Sequence, residues 1–580
     1  MKLLSKKNLF WARWLIIACL LFCLAILSQV DSLKVAADKK QLYDTYVYRP
    51  FEVNHFTVGI SPDDFEFFFS DPPRSFFSYQ KAELVINRIP VVFRARMRIK
   101  GTHAWNWDRP KPSFRLRLKG QRTFYGKTTL DFLNPDDASM LANLIADNIA
   151  CRLGLPSPRT TIATVNLNGD YKGAYHLAEP ITPELLSRQG INGAVVVEGN
   201  LRNSKMWHHP ELWEIQAPDE HSERKAKRAL SELLALINTP VDLSKLDRLE
   251  DFIDFDGLAS WSALMSAIGS VHTNDFLGNL LVYDGCKRKL FPVLSDSAGF
   301  GVITAIGGRH NDIDVRVPIY EFLTPLLNAA FRIPEFHFKR NRLMYKILQN
   351  ELKDEHLKNL VNRYLEILRP LYFREKYATA LINIPIVLFS RKIPVSPQSM
   401  LEDAERLLDF MSSRRKFILD LFDNLLVTIT DIGHTEKIDG KTYSHILVQV
   451  MGHAPVKWDF SAMKGKIIAD VDCDQKLDSV EPEFYKPQLF HAGLTETREY
   501  LDQVWLMVDR RWANFVLEPA TQTYLLGISK DDYDECVRFL ENAGRNAITD
   551  SPVILKLHHG MIDTTLLKPN SSVLHPWRKL

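Results

Sequence analysis

The sequence has almost no net charge and few cysteines. It contains 73 Lys and Arg against 70 Asp and Glu, which gives a formal net charge of +3. Nucleic-acid binding is typical of strongly basic chains, so we predict no nucleic-acid partner. The six cysteines are scattered and contain no Cys-x-x-Cys pair, which argues against a zinc ribbon and against a disulfide framework.

Several catalytic motifs are also missing. The chain has no Gly-rich phosphate loop, no Gly-x-Ser-x-Gly and no zinc-protease motif. These absences argue against P-loop nucleotide hydrolases, serine hydrolases of the α/β type and zinc proteases. The composition is 46% hydrophobic and 25% charged, which excludes a largely disordered chain and leaves a globular protein.

Long apolar runs are scarce, and the one that is present lies at the N-terminus. It extends from Trp14 to Leu27 and follows the basic residues Lys6, Lys7 and Arg13. This order predicts a signal anchor or transmembrane helix within residues 1–32, with Val35-Ala36-Ala37 as an alternative cleavage site. Basic residues ahead of the span keep the N-terminus in the cytoplasm. We therefore expect a single-pass cell-membrane protein whose bulk is extracytoplasmic, and periplasmic if the cell is Gram-negative.

Two segments alternate strictly between apolar and basic residues, Phe93 to Lys100 and Phe114 to Lys119. A period of two predicts β-strands with all the basic side chains of each strand on one face. If the two strands pair, they form a basic sheet face. Arginine suits phosphate geometry, so this face is a candidate anion site.

Helices and hairpins follow along the chain. Asp137 is predicted to cap a helix that ends at Gly154, and Asn168-Gly169 predicts a two-residue hairpin. A second hairpin is predicted to turn around Asp284-Gly285. The patterns of residues 219–265 and 318–425 are helical.

From residue 426 onward, alternation of β-branched and aromatic residues returns. The chain therefore divides into an anchor over residues 1–32, a central domain over 33–425 and a mainly-β C-terminal domain over 426–580. The predicted fold class is α+β.

Three oxygen-bearing side chains flank the second predicted hairpin. Asn279 opens its first strand, Asp296 follows its second, and Asp275 lies on the loop that leads into it. Antiparallel pairing brings these positions to one end of the ribbon. Protein kinases place a catalytic Asp, a metal-binding Asn and a metal-binding Asp in this way, so the segment predicts phosphate chemistry with a divalent cation.

With these elements in place, the chain resembles the CotH kinase family, the atypical kinases named after spore coat protein H. The resemblance covers about residues 56–423. Its segments are Gly59-Ile60-Ser61-Pro62-Asp63-Asp64-Phe65, Arg98-Ile99-Lys100-Gly101, Pro110-Lys111-Pro112-Ser113-Phe114-Arg115, Leu153-Gly154-Leu155-Pro156, Asn168-Gly169-Asp170-Tyr171-Lys172-Gly173-Ala174-Tyr175 with Glu179, the Asp275, Asn279 and Asp296 elements, and Phe410-Met411-Ser412-Ser413-Arg414-Arg415.

The resemblance implies an atypical protein-kinase-like fold that uses ATP or another nucleotide with Mg or Mn. It assigns the nucleotide phosphates to Lys111, with Arg98 and Arg115 in support. By the same resemblance, Asp275 is the catalytic aspartate, whereas Asn279 and Asp296 hold the metal. The implied activity is transfer of phosphate to a protein or cell-surface polymer by a membrane-anchored enzyme.

One departure from the family pattern leaves an alternative open. The family typically reads Pro-Trp-Asp-x-Asp after the hairpin, whereas this chain reads Pro292-Val293-Leu294-Ser295-Asp296. Leu294 thus replaces one of two aspartates. The alternative function is a non-catalytic, pseudokinase-like scaffold or binding protein of the cell envelope.

An acidic loop in the C-terminal region has the spacing of a calcium site. Gln475 stands where such a loop needs glycine, so a solvated acidic turn is the competing interpretation. The candidate calcium ligands are Asp470, Asp472, Asp474, Asp478 and Glu481.

Overall fold

The computed structural model describes most of the chain up to residue 452 and shorter stretches after it. The described residues are 17–22, 45–71, 74–89, 91–101, 110–120, 122–199, 204–238, 248–270, 279–295, 297, 300, 315, 324–331, 333–384, 389–423, 426–438, 440–452, 467–469, 489–491, 520–536, 538 and 556–559. They fall into two compact units. The first holds the described residues of 1–134, 159–180 and 374–377, and the second holds the others.

The first unit is a closed β-barrel of seven strands in the order β1-β2-β3-β4-β5-β7-β6. The ring closes where β1 pairs in parallel with β6. The strands are β1 (Val53–Ile60), β2 (Gln80–Ile86), β3 (Phe93–Ile99), β4 (Phe114–Leu118), β5 (Thr129–Leu133), β6 (Thr161–Leu167) and β7 (Asp170–Ala178).

Alternation along the strands explains the barrel core. In β3 every second residue is buried, and the arginines between them point outward. The interior is filled by aromatic rings in edge-to-face and stacked pairs. Phe56 lies 5.2 Å from Phe124 and 4.9 Å from Phe132, whose ring stacks on Phe114 at 4.6 Å between ring centroids.

A short helix, α1 (Pro62–Phe67), follows β1. Its N-cap is Ser61, whose hydroxyl oxygen accepts a hydrogen bond from the Asp64 backbone N–H at 3.1 Å. Proline occupies the first helical position and acidic residues the first turn, the arrangement that helix N-termini favour. The Ser-Pro-Asp-Asp segment of the family resemblance therefore has a local structural role.

The second unit combines helices with a four-stranded sheet in the order β11-β10-β8-β9. Its strands are β8 (Val195–Gly199), β9 (Trp213–Gln216), β10 (Leu280–Asp284) and β11 (Lys289–Pro292). Its helices are α2 (Ala142–Arg152), α3 (Pro183–Arg188), α4 (Glu220–Ile237), α5 (Leu249–Phe252), α6 (Phe255–Ala267), α7 (Pro325–Ala330), α8 (Pro334–Gln349), α9 (Asp354–Tyr372) and α10 (Pro397–Asp423).

Two sequence predictions for this unit need correction. Residues 318–425 were expected to be helical throughout, but β12 (Thr379–Ile384) and β13 (Phe389–Pro394) pair as an antiparallel hairpin inside that range. The Ile and Thr content of β12 favours a strand. The helix predicted from Asp137 begins later, at Ala142, and the Asp137 carboxylate accepts hydrogen bonds from the Leu141 and Ala142 backbone N–H groups across the intervening loop.

Beyond residue 425 the described residues form a separate sheet in the order β16-β18-β15-β14-β19, with β17 against β18. Its strands are β14 (Leu426–Ile438), β15 (Lys441–Gly452), β16 (Ile467–Ala469), β17 (Leu489–His491), β18 (Ala520–Ser529) and β19 (Lys556–His559). The mixed α+β prediction is confirmed. The division into three domains and the kinase-like fold stay predictions.

The predicted membrane anchor lies outside the described residues except for residues 17–22, which are helical. No helix among the residues that the structure covers is long and apolar enough to cross a membrane. The candidate calcium loop also lies outside the described residues.

Candidate functional site

Lys111 lies just before β4, with its side chain buried in the barrel unit. Its Nζ is 3.0 Å from Oε2 of Glu375, and each of the two side chains is 1% exposed. The ammonium group also lies over the ring of Tyr175, 5.2 Å from the ring centroid. Burial raises the pKa of Tyr175 well above its ordinary value, and Glu375 adds to this shift. Lys111 is therefore held by a carboxylate and an aromatic face.

Glu375 belongs to a four-residue segment, Arg374–Tyr377, that follows α9 and joins the barrel unit. Each residue of this segment contacts the β6–β7 hairpin. Arg374 lies over the ring of Tyr171, and Lys376 and Tyr377 contact the Asp170 carboxylate. A Lys172 hydrogen bond contributes most to lowering the pKa of Asp170, and Tyr377 adds a second one. The hairpin thereby fixes the carboxylate that pairs with Lys111.

The turn of this hairpin has the backbone conformation that its Asn-Gly sequence predicts. Asn168 and Gly169 have φ values of +52° and +84°, the left-handed pair that a tight type I′ turn needs. Gly173 has a φ of +88° at a register shift between β6 and β7. A Cβ at Gly173 would collide with the Glu375 carboxylate, and Ala174 donates its backbone N–H to the same carboxylate. Because glycine has no Cβ, the Glu375 carboxylate can occupy this space and reach Lys111.

Arg98 and Arg115 are cross-strand neighbours on the outer face of β3 and β4, as predicted from the alternation. Arg115 donates two hydrogen bonds to Asp131, at 2.5 Å from Nε and 2.8 Å from Nη2. Burial alone would lower the pKa of Arg115, but Asp131 raises it above the ordinary value. Arg98 instead packs against aromatic rings, 5.7 Å from Phe77 and 5.5 Å from Tyr79.

Asn279 heads the second predicted hairpin in the second unit. The hairpin is confirmed, with Leu281 opposite Pro292 and Tyr283 opposite Leu290. Asn279 is 8% exposed, and its carbonyl accepts a hydrogen bond from the Gly199 backbone N–H at 2.9 Å. This bond fixes the backbone of Asn279 at the start of β10, next to β8.

Asp275 and Asp296 lie outside the described residues, but the chain on both sides of them is held together. The Ser270 hydroxyl donates a hydrogen bond to the Ser297 carbonyl, and the Phe300 backbone N–H donates one to the Ile268 carbonyl at 2.7 Å. The Ser297 hydroxyl also bonds Asn143 of α2 at 3.2 Å. These hydrogen bonds join the residues that precede Asp275 to the residues that follow Asp296.

Two fully buried arginines support the end of α6, which leads toward Asp275. Arg340 donates hydrogen bonds to the hydroxyls of Ser262 and Ser266, one helical turn apart. Arg414 donates to the Ser266 carbonyl at 2.7 Å and to the Val315 carbonyl at 2.6 Å. Arg414 belongs to a segment of the family resemblance, which assigns it no role, and Arg340 lies outside the segments of that resemblance.

A comparison with known families now bears on these residues. The family model described as CotH kinase protein matches residues 97–418, more than half of the chain. The chain belongs to the CotH kinase family. The match spans Arg98, Lys111, Arg115, Asp275, Asn279 and Asp296. No curated protein matches the chain.

Membership of the CotH kinase family makes this a kinase-like protein. Of its predicted site residues, the structure brings Arg98 and Arg115 together on one sheet face and places Lys111 in the same unit. Asn279 lies in the second unit. The roles assigned to all six residues stay predictions. Glu375 was missed, because nothing in the local sequence around it signals a partner for Lys111 that lies 264 residues away.

Leu294, the departure from the CotH pattern, is 1% exposed. Its backbone N–H donates a hydrogen bond to the Pro156 carbonyl at 3.1 Å. In the part of the chain that is described, no group of three or more His, Cys, Asp or Glu side chains is arranged to hold a metal ion.

Proposed function

We propose that the chain is a phosphotransferase that moves phosphate from a nucleotide to a protein or cell-surface polymer. The observation that carries this proposal is the CotH match, because it encloses every residue predicted to take part. The Lys111–Glu375 pair adds support. Protein kinases pair the lysine that contacts the nucleotide phosphates with a glutamate, and Lys111 forms a buried ion pair with Glu375.

The acceptor hydroxyl is the nucleophile in this proposal. Its oxygen bonds to the transferred phosphorus, the bond from phosphorus to the leaving phosphate oxygen breaks, and the hydroxyl proton passes to Asp275. Lys111, with Arg98 and Arg115 in support, neutralises the charge of the nucleotide phosphates.

A divalent cation fits the donors predicted for it. Asn279 and Asp296 offer amide and carboxylate oxygens, the hard ligands that Mg²⁺ and Mn²⁺ prefer, and Asn279 is fixed at the head of β10. When bound, the metal would neutralise developing charge on the phosphates. We propose ATP as the nucleotide, with another nucleoside triphosphate as an outcome of the test.

Phosphate transfer from γ-labelled ATP with Mg²⁺ or Mn²⁺ tests the proposal, using the full-length chain and generic protein and polysaccharide acceptors. Asp275→Asn should reduce transfer about 10²- to 10⁴-fold, the usual contribution of a positioned base. Asp296→Asn should also reduce transfer, because a charged metal ligand is lost, and both variants should melt nearly as the wild type does. Asp256→Asn is the matched control, since that carboxylate is 80% exposed on α6. Activity that survives both changes would contradict the assignment.

The second candidate is a non-catalytic scaffold of the cell envelope, and Leu294 is the observation that favours it. A buried leucine cannot supply the oxygen ligand that an aspartate would offer there. If Leu294→Asp creates transfer that the wild-type chain lacks, the scaffold is the correct interpretation. Transfer by the wild-type chain excludes it.

We further propose that the protein acts outside the cytoplasm, anchored by its N-terminal segment. The basic residues ahead of the apolar run from Trp14 to Leu27 support this orientation. A reporter that is active only outside the cytoplasm should be active when it is fused after Leu580. Activity of a strictly cytoplasmic reporter at that position would refute the proposed compartment.

A further inference from the structure

The outward side chains of β2, β3 and β4 form rows across the barrel wall. In the middle row, Lys81 lies opposite Arg96, and Arg96 lies opposite Arg117. All three side chains are exposed. Like charges that face each other directly across strands destabilise a sheet. The three cations of this row therefore destabilise the sheet. Neutral outward side chains would satisfy the same alternation of buried and exposed positions without that loss.

The neighbouring row differs because its charge is compensated. There Arg115 binds Asp131 through two hydrogen bonds. In contrast, Lys81, Arg96 and Arg117 make no salt bridge with any carboxylate among the residues described here. The middle row is therefore a local concentration of uncompensated positive charge on a chain whose net charge is nearly zero.

Aromatic rings hold part of this surface in place. The ring of Tyr79 has Arg98 at 5.5 Å and Arg117 at 5.2 Å from its centroid. The stacking restricts the two guanidinium groups before any partner arrives, which lowers the entropy lost on binding. Because both arginines pack against this ring, Tyr79 is poorly placed to stack a nucleic-acid base.

The barrel geometry limits how a partner can bind. A closed barrel has no free strand edge, so a peptide cannot extend the sheet and must be recognised by outward side chains. Along β3, Arg94, Arg96 and Arg98 repeat at about 7 Å, twice the rise of an extended strand. An extended peptide with an acidic residue at every second position presents carboxylates at the same interval.

We propose that the outer face of β2, β3 and β4 is a docking surface for an extended acidic peptide with carboxylates at alternate positions. Each guanidinium along β3 can donate two hydrogen bonds to one carboxylate. Lys81 and Arg117, which lie opposite Arg96 on the neighbouring strands, add uncompensated positive charge. Lipid headgroups diffuse laterally and have no fixed spacing, so an anionic membrane does not make use of this repeat. The row of Lys81, Arg96 and Arg117 has no part in the proposed nucleotide site, so binding to that row requires neither a nucleotide nor phosphate transfer.

Two labelled peptides of identical composition and charge test the spacing. One is (Glu-Ser)₆, with glutamate at alternate positions, and the other is (Glu-Glu-Ser-Ser)₃. Fluorescence anisotropy with the full-length chain in a neutral detergent should show the alternating peptide binding about tenfold more tightly, the sum over two or three exposed ion pairs. Binding should weaken as salt is added.

Charge reversal locates the site. Arg96→Glu combined with Arg117→Glu should abolish the preference for the alternating peptide. The matched control is Lys225→Glu with Lys227→Glu on the exposed face of α4, which changes the net charge equally and should bind as the wild type does. Arg96→Gln with Arg117→Gln should also lose binding while it melts no lower than the wild type, because it removes a like-charge pair.

Three results would overturn this proposal. They are equal affinity for the two peptides, unchanged binding by the Arg96 and Arg117 variants, and tighter binding to single-stranded DNA or to phosphatidylglycerol vesicles than to the alternating peptide. None of them depends on kinase activity, so a failure here is distinguishable from a failure of the proposed phosphotransferase.

Discussion

The two units support their predicted site residues in different ways. In the barrel, Lys111 and Arg115 are each paired with a carboxylate, Glu375 and Asp131 respectively. In the second unit, the residues on either side of Asp275 and Asp296 are joined by neutral hydrogen bonds, such as the one from Ser270 to Ser297. The barrel therefore fixes charged side chains, whereas the second unit fixes the backbone on either side of the predicted residues.

This difference predicts different responses to substitution. Removing one partner of a buried ion pair leaves an uncompensated charge and costs much of a domain's stability. Removing a cap or a loop hydrogen bond costs much less. The barrel should therefore be far more sensitive to a single change near its predicted site than the second unit is.

The largest effect is expected at Lys111. Lys111→Ala should lower the free energy of unfolding of the barrel by about 3–5 kcal/mol, because it leaves Glu375 buried without its partner cation. Lys111→Met combined with Glu375→Leu should recover most of that loss, since it replaces the pair with apolar groups of similar volume. Urea denaturation followed by tryptophan fluorescence measures both. A double variant no more stable than Lys111→Ala would show that the pair is not the source of the cost.

An intermediate effect is expected at Gly173. Gly173→Ala should destabilise the barrel by about 1–3 kcal/mol, because an alanine there has a strained positive φ and its Cβ meets the Glu375 carboxylate. Gly169→Ala is the matched control, since its φ is also positive but no atom lies within 4 Å of the added Cβ. The difference between their melting curves measures the Glu375 contact. Equal losses would mean that Glu375 moves aside freely.

The smallest effect is expected in the second unit, at the start of α6. Asp254 accepts hydrogen bonds from the Asp256 and Gly257 backbone N–H groups and lies 2.6 Å from Lys287. Asp254→Ala should cost about 1 kcal/mol through the lost cap, whereas Asp254→Asn keeps the cap and loses the ion pair. Chemical denaturation of the three proteins checks this order.

The same aspartate gives a pH dependence with a definite sign. Burial alone would raise the pKa of Asp254, but the Lys287 hydrogen bond and the helix N–H groups lower it below its ordinary value. The unfolded chain therefore binds the proton first as the pH falls. The stabilisation is complete above the ordinary Asp pKa and is lost as the pH falls through the lowered one. Asp254→Asn should remove this part of the acid sensitivity, and an unchanged acid profile would contradict the assignment.

Local patterns predicted a good part of the fold. The alternation of β3 and β4 predicted two strands, their faces and the cross-strand arginines. Asn168-Gly169 predicted a tight hairpin because only a few residues tolerate two successive positive φ values. The hairpin of β10 and β11 followed from turn residues between two apolar runs. Each of these features is determined by residues that lie close together in the sequence, so local sequence patterns are enough to predict it.

Contacts between distant parts of the chain were not predictable in this way. The closure of β1 on β6 and the pairing of Lys111 with Glu375 leave no periodic signal. The segment of β12 was predicted to be helical because its apolar residues lie inside a long helical pattern. It forms a strand because it pairs with β13. The roles of the residues named from the family resemblance stay predictions, and the carboxylate that pairs with Lys111 is visible only in the three-dimensional arrangement.

The most direct test of the central claim is nucleotide binding by the full-length chain. Melting is measured with ATP at about 100 times its dissociation constant, with Mg²⁺ or Mn²⁺, and binding at that level should add about 2.7 kcal/mol to the free energy of unfolding. The stabilisation should need the metal and should vanish in the variant that combines Lys111→Met with Glu375→Leu. No shift with any nucleoside triphosphate and either metal, or the same shift in that variant, would contradict a nucleotide site at Lys111.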